Sequence, residues 1–321
     1  MCNRVLVSVV AVLGVLAGFE SRLHAQDAEK GASLLAEARK AIGGEDRLRA
    51  IKTVQAGGTF KRTAGTNTLE GDFEIFIEQP NRYRRNETTG NAGGPIGERV
   101  EVLNGTEVWE EISNGFPGGR FGFGGFGRGG GGGGGGRAGG APAGGQADGG
   151  RAGAPAIDPE RLREAQRRQR QNELARLMLV WFLTTDAPVA WVGTAQSPDG
   201  TADVVEVKPA EGAATRVFLD STTHMPVMTT TTGLGGGRGR RGGGADGRAG
   251  GADGRAGGAD GRAGAPAQPI TIETHLSEYK AVNGIKLPHL ITRGVNGQTN
   301  EEWELKNYRI NPNLKQNTFT K

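Results

Sequence analysis

Beyond residue 25 the chain has three histidines, His224, His275 and His289, and no two have the spacing of an HExxH helix or another zinc-ligand pattern. Isolated histidines on strands are ordinary surface or core residues, so no metal site is expected. There is no GxSxG nucleophile motif and no P-loop, and the only cysteine, Cys2, lies at the start of the chain, where it offers neither a catalytic thiol nor a disulfide to the remainder. The adjacent acids Glu110-Glu111 and Glu301-Glu302 fall in strand-like segments, where neighbouring side chains point to opposite faces. Neither couple forms a general acid/base pair by itself. These residues predict no catalytic site and no cofactor, and a hydrolase would need a cluster that only the fold could assemble.

The chain does have a surplus of large apolar side chains: Phe60, Phe73, Trp109, Trp181, Trp191, Phe218 and Trp303. Such groups fill a core or, on a strongly curved sheet, line a cavity for an apolar ligand. The elements that would position them are mostly strands. In LEGDFEIFIEQPNRYRR, from Leu69 to Arg85, Phe73, Ile75 and Ile77 alternate with Asp72, Glu74 and Glu78, the pattern of a half-buried strand. Pro80 and Asn81 interrupt it, and Arg82, Tyr83, Arg84 and Arg85 resume an extended segment. A first strand from Val54 to Arg62 carries Gly57-Gly58, placed for a bulge. Glu98 to Leu103, with Val100 and Val102 on one face, pairs across the Asn104-Gly105 turn with Thr106 to Ile112.

The same alternation predicts later strands from Val189 to Thr194, Ala202 to Lys208, Ala214 to Asp220, Met225 to Thr232, Ile270 to Tyr279, Ile285 to Thr292 and Glu301 to Tyr308. Asn283-Gly284 and Asn296-Gly297 supply tight turns, and turns this short make an antiparallel meander. Pro288 inside a strand predicts an edge or a bulge, and the tail from Asn311 is expected along the surface. Two helices complete the inventory. Leu34, Leu35, Ala38 and Ile42 recur at helical spacing until Gly43-Gly44. The second helix starts at Asp158-Pro159-Glu160, and its later half places Leu174, Leu177, Met178, Trp181 and Phe182 on one stripe. That stripe fits equally a helix packed on a core and a lid over a cavity.

Arg4, the apolar run from Val5 to Phe19 and Leu23-His24-Ala25 predict a cleaved secretory signal over residues 1–25, with no transmembrane span left after cleavage. Residues 117–156 hold 21 glycines, and residues 234–267 include three seven-residue repeats beginning at Ala245, Ala252 and Ala259. Neither stretch buries enough apolar surface to offset chain entropy, so both are expected to be disordered insertions in one β-rich domain over 26–321. Calcium-binding repeats have nine residues and packing positions, which these lack. The GGRFGFGGFGRGG texture suits stacking on unpaired bases, but in an exported chain a solvated loop is the expectation. Of the net charge of +4, the two insertions supply +6 and the signal +1, leaving −3 for the folded part. That offers no field for nucleic acid.

In order and pattern, IKTVQAGGTFKR, LEGDFEIFIEQPNRYR, VEVLNGTEVWE, LARLMLVWFL, VVEVKP, TRVFLDSTTHMPV and NGIKLPHLI followed by EEWELKNYRINPNL resemble the LolA/LolB-like lipoprotein-sorting superfamily. The resemblance implies a mainly β fold with two helices: an unclosed antiparallel β-barrel, or half-barrel, covered by a helical lid. It also implies a periplasmic protein that binds a lipid or the acyl chain of a lipoprotein. Phe60, Phe73, Ile75, Ile77, Val100 and Val102 would line the wall, and Leu174, Leu177, Met178, Trp181 and Phe182 the lid. In dedicated carriers an arginine that helps hold the lid closed precedes the Pro-Asn pair. Here Gln79 stands before Pro80-Asn81, which leaves Arg82 or Arg62 to supply the lid contact. The fold also occurs in envelope-stress regulators, so the alternative is an interaction or stress-sensing scaffold whose Arg/Gly insertions contact an anionic envelope surface.

Overall fold

Asn-Gly turns and alternating strands fold the chain back on itself repeatedly, and the computed structural model shows the result. It describes residues 25–90, 97–113, 158–198, 200–210, 213–234 and 269–321. The predicted signal apart from Ala25, and the two predicted insertions apart from Leu234, lie outside these residues.

Among the described residues there are twelve strands: β1 (Thr53–Ala64), β2 (Asn67–Glu78), β3 (Arg82–Thr89), β4 (Gly97–Asn104), β5 (Glu107–Ile112), β6 (Val189–Ser197), β7 (Gly200–Val207), β8 (Thr215–Asp220), β9 (Pro226–Leu234), β10 (Pro269–Val282), β11 (Ile285–Val295) and β12 (Gln298–Ile310). They form one sheet in the order β5-β4-β3-β2-β1-β12-β11-β10-β9-β8-β7-β6, and each neighbouring pair is antiparallel. β1 and β12 meet in the middle, while β5 and β6 are edges that do not pair with each other. The barrel is therefore unclosed. Helix α1 covers residues 25–42, α2 is Glu45–Arg49, and α3 is Pro159–Phe182, lying in sequence between the two edge strands. The short α2 adds a third helix to the expected two, and it carries Leu48 into the core.

Three local features show how sequence sets this geometry. Asn283-Gly284 and Asn296-Gly297 take φ values of 50° and 79° in each pair, the left-handed conformations that a two-residue hairpin requires. The register of β1 against β12 shifts between Gly57 and Gly58, as their spacing suggested, and any Cβ on Gly58 would collide with the Glu304 carbonyl oxygen. Pro288 lies in β11, an interior strand, so it does not mark an edge. Pairing of β11 with β12 begins only at Leu290, so no donor is required of Pro288 there.

Both helices lie on one face of the sheet and share a single core with it. Leu34, Leu35, Ala38 and Ile42 of α1 and the end of α3 belong to one core cluster with Val205, Val207, Val217, Leu219, Ile285, Phe73, Ile75, Ile77, Trp303 and Tyr308. The approach of α1 is close. A Cβ on Gly31 would lie 2.6 Å from the Trp191 backbone nitrogen, and Lys30 Nζ sits 3.3 Å above the Trp191 ring. The C-terminal tail is docked: Phe319 is buried and the Thr318 carbonyl accepts from Arg84 Nη1 at 2.8 Å. No described helix is long and apolar enough to cross a membrane.

Gly58→Ala is expected to cost about 1–3 kcal/mol in urea denaturation, because the backbone of β12 must move. Gly90→Ala, where a Cβ meets nothing within 4 Å, should change stability by less than about 0.5 kcal/mol. Equal effects at the two positions would contradict the bulge as the source of the close approach.

Candidate functional site

The face of the sheet beneath α3 is set by strand alternation, and on β3 and β4 that alternation turns charge inward. Register places Ile75, Arg85, Glu101 and Glu110 in one cross-strand row, and Phe73, Glu87 and Arg99 in the next. Arg85, Glu87 and Glu101 are buried, as are Arg62 on β1 and Glu301 on β12. Each is ion-paired. Arg62 donates from Nη1 to Glu87 Oε2 at 2.9 Å and from Nε to Glu301 Oε1 at 2.7 Å. Arg85 pairs with Glu87, and Arg99 lies 2.6 Å from Glu101 and 2.8 Å from Glu110. Trp303 Nε1 donates to Glu301 Oε1 at 2.7 Å.

The lid closes this network from above. Arg170 of α3 lies 2.7 Å from Glu101 and 3.5 Å from Glu110. One turn on, Glu173 pairs with Arg176 at 2.8 Å, and Arg293 of β11 lies 3.8 Å from Glu301. Burial pushes the Glu87 carboxyl up, but Arg85 and Arg62 outweigh it and hold the group at about 2, below its ordinary 4.5. Glu101 goes the other way: burial raises it, and Arg170, Arg99 and Arg85 offset that only in part.

The sequence-predicted residues divide accordingly. Phe60, Phe73, Ile75 and Ile77 are buried on the face that α3 covers, and Phe73 packs on Trp303 with ring centroids 4.9 Å apart. Val100 and Val102 are not on that face. β4 presents Arg99, Glu101 and Leu103 to the helix, so its two valines point to the other side, where Val102 pairs with Arg84 and Trp109. Leu174, Leu177, Met178, Trp181 and Phe182 are all buried beneath or within the end of α3, and Trp181 meets Tyr308 edge-on at 5.5 Å. Gln79 donates to the Ile51 carbonyl at 3.0 Å, and Arg82 pairs with Glu78 in an exposed turn; neither bond involves α3. Arg62 lies within the ionic network, and the cation that reaches between α3 and β4–β5 is Arg170, on the lid itself.

A void of about 20 Å³ remains between α3 and β10–β12, lined by Leu177, Val180, Trp181, Ile291 and Trp303 with Arg176, Arg293, Glu301 and Thr274 at its polar side. That is room for about one water, against the roughly 300–1,000 Å³ of an occupied ligand pocket. The larger depression, about 650 Å³, is lined by Lys61, Glu70, Asp72, Glu302 and Glu304 together with Phe60 and Gly71, so its lining is mixed polar and apolar. The three histidines are dispersed, and no group of acids, histidines and cysteines among the described residues could hold a metal ion.

The Glu87→Gln variant tests the network. It leaves two buried guanidinium groups short of a partner, which costs about 3–5 kcal/mol at pH 7. The stabilisation from Glu87 is complete above its unfolded value of 4.5 and is lost as pH falls toward about 2. Urea denaturation should therefore show the gap between wild type and variant narrowing by about 2 kcal/mol from pH 4.5 to pH 3. A gap independent of pH would contradict an ionised Glu87 at the centre of the network.

Neither a protein-family model nor a curated protein matches the chain. Solved structures with a similar fold include a LolA superfamily protein from Nitrosomonas europaea, at 9% identity and TM-score 0.48, over 91% of this chain and 97% of that one. A putative outer membrane lipoprotein-sorting protein domain from Vibrio parahaemolyticus is similar at 11% identity and TM-score 0.43, over 91% and 97% of the two chains. A DUF1329 family protein from Desulfovibrio piger is similar at 7% identity and TM-score 0.42, over 90% and 96%.

Proposed function

We propose that this chain is an exported envelope protein that takes a lipid or lipoprotein acyl chain between its sheet and α3, with α3 a lid hinged at its C-terminal end. The observation that carries this reading is the unequal attachment of the two ends of α3. At the C-terminal end, Leu183 turns into the left-handed region at φ 53°, Leu183 N donates to Leu179 O at 3.0 Å and Thr184 N to Met178 O at 3.2 Å. Arg39 of α1 donates to the Leu183 carbonyl at 3.0 Å, and every residue from Leu177 to Leu183 is buried. This end is built into the core.

The N-terminal half is attached differently. From Pro159 to Gln169 it is largely exposed, and Leu162 is 45% exposed. Arg170 is its tie to β4 and β5. A buried ion pair contributes little net stability, because the desolvation of both groups offsets their attraction, and lifting the helix returns them to water. The main cost of opening is exposure of Leu174 and part of Leu177, about 1.5–3 kcal/mol for each fully exposed side chain. Burying each methylene of a ligand contributes about 0.8 kcal/mol, so about four methylenes offset one leucine and a long acyl chain exceeds the cost. The export signal over residues 1–25 supports placing this exchange in the periplasm.

The test is a lid that can be locked. Arg170→Cys with Glu101→Cys removes both members of one ion pair and supplies the only two thiols once residues 1–25 are omitted. The uncrosslinked variant should bind a fluorescent fatty-acyl probe, and bridging the thiols with a short bifunctional reagent should weaken binding by about tenfold or more. Equal binding by the two forms would contradict a moving lid, and no binding by either form or by wild type would contradict the function.

A further inference from the structure

The two edges of the open sheet are not protected alike. At β6, α1 packs so closely that a Cβ on Gly31 would lie 2.6 Å from the Trp191 backbone nitrogen, and a bulge between Trp191 and Gly193 distorts the edge. Among the described residues β5 has neither device. Its ladder with β4 fixes which of its backbone groups point off the sheet. Ser113 N donates to Glu98 O at 2.8 Å, and in an antiparallel ladder the pairs that exchange hydrogen bonds alternate. Glu111, Trp109 and Glu107 therefore bond to β4, while the N–H and C=O groups of Val108, Glu110 and Ile112 point outward. No described backbone group bonds to them there.

The two faces beside this edge differ in charge. Val108, Glu110 and Ile112 lie on the side of α3, since they oppose Leu103, Glu101 and Arg99. Glu110 is held by Arg99 and Arg170, whereas Ile112 is 48% exposed. Above them, Arg163 falls in line with Arg170 and Leu177 at seven-residue spacing, yet it is exposed where those two are buried. The sheet-facing stripe of α3 thus runs on past the last strand and overhangs the edge with a cation. On the opposite face Glu107 and Glu111 flank Trp109, and both acids are exposed without an ion-pair partner among the described residues.

We propose that β5 is a docking edge for an extended segment of a partner protein in which basic and apolar residues alternate. The segment adds a further strand to the sheet. Its backbone bonds to Val108, Glu110 and Ile112, its basic side chains face Glu107 and Glu111, and its apolar side chains cover Ile112 beneath α3. Arg163 on one side and the two acids on the other admit such a segment with only one face toward the helix. A second copy of this chain fits poorly, because β5 paired with itself sets Glu107, Glu110 and Glu111 against the same acids. This interaction surface is independent of the acyl-binding reading.

The probe is a short acetylated and amidated peptide of alternating Val and Lys, added to the chain lacking residues 1–25. Binding should slow amide hydrogen exchange at Val108, Glu110 and Ile112 and leave Trp109 and Glu111, already bonded to β4, as they were. A peptide with Glu in place of Lys should bind about tenfold or more weakly. Ile112→Pro removes an outward donor and none that β4 uses, so thermal melting should show a folded chain whose binding is weaker by about fivefold or more. Ile112→Ala, which keeps the donor, should lose less. Glu107→Gln combined with Glu111→Gln should abolish the preference for Lys over Glu. Equal binding of the two peptides by wild type, protection at β6 in place of β5, or no binding would overturn the proposal. So would a concentration-dependent dimer of wild type that Ile112→Pro dissociates, which would assign the edge to a second copy.

Discussion

Strand alternation on β3 and β4 forces Arg85, Glu87, Arg99 and Glu101 to the same side as Phe73 and Ile75, and a sheet cannot bury isolated charges there. They are accommodated because Arg62 and Glu301 reach in from β1 and β12 and Arg170 reaches down from α3. The pairing ties the middle of the sheet to one edge and to the helix above it. Removal of any member strands its partners, so the position of α3 and the curvature of β1–β5 are coupled through the same set of ions.

The consequence for the helix is a division of labour along its length. The turns from Leu177 to Leu183 are enclosed by sheet and α1 and behave as core, whereas the turns before Arg170 lie in solvent. An open sheet whose edge strands β5 and β6 do not pair with each other gives such a helix somewhere to go, since lifting one end breaks no strand ladder. In the closed state the space beneath is filled by Trp181, Phe73, Trp303 and Tyr308. On the proposed acyl-binding reading, capacity for a ligand depends on movement of α3, not on a preformed hollow.

Much of the fold was legible because the physics is local. The three Asn-Gly turns, the Gly57-Gly58 bulge and the helix cap at Asp158 each rest on residues adjacent in sequence. The runs β1–β5, β6–β9 and β10–β12 followed from short connections, whereas the pairing of β1 with β12 joins strands far apart in sequence; the wall residues on β1 and β2 followed from clean apolar alternation. The error at Val100 and Val102 has a physical cause. Hydrophobicity marks the buried face of a strand only when the opposite face is wet, and on β4 the inward positions are charged. The alternation was visible, but its sign was set by partners on β1, β12 and α3, distant in sequence. The same non-locality hid Arg170, which reads as one basic residue in a polar run. The tail lies along the surface as expected, but the burial of Phe319 was not legible, because it is a lone aromatic and Arg84, which holds the adjacent Thr318 carbonyl, is distant in sequence.

The central claim is that α3 pivots about Leu183 while its N-terminal half lifts from β4 and β5. Spin labels at the exposed positions Arg163 on α3 and Glu107 on β5 report this distance directly, and a pair at Asp186 and Glu107 serves as the fixed reference. Double electron–electron resonance should show a second, longer Arg163–Glu107 distance that gains population on addition of an acyl ligand, with the reference pair unchanged. A single Arg163–Glu107 distance that stays the same while ligand binds would contradict the lid.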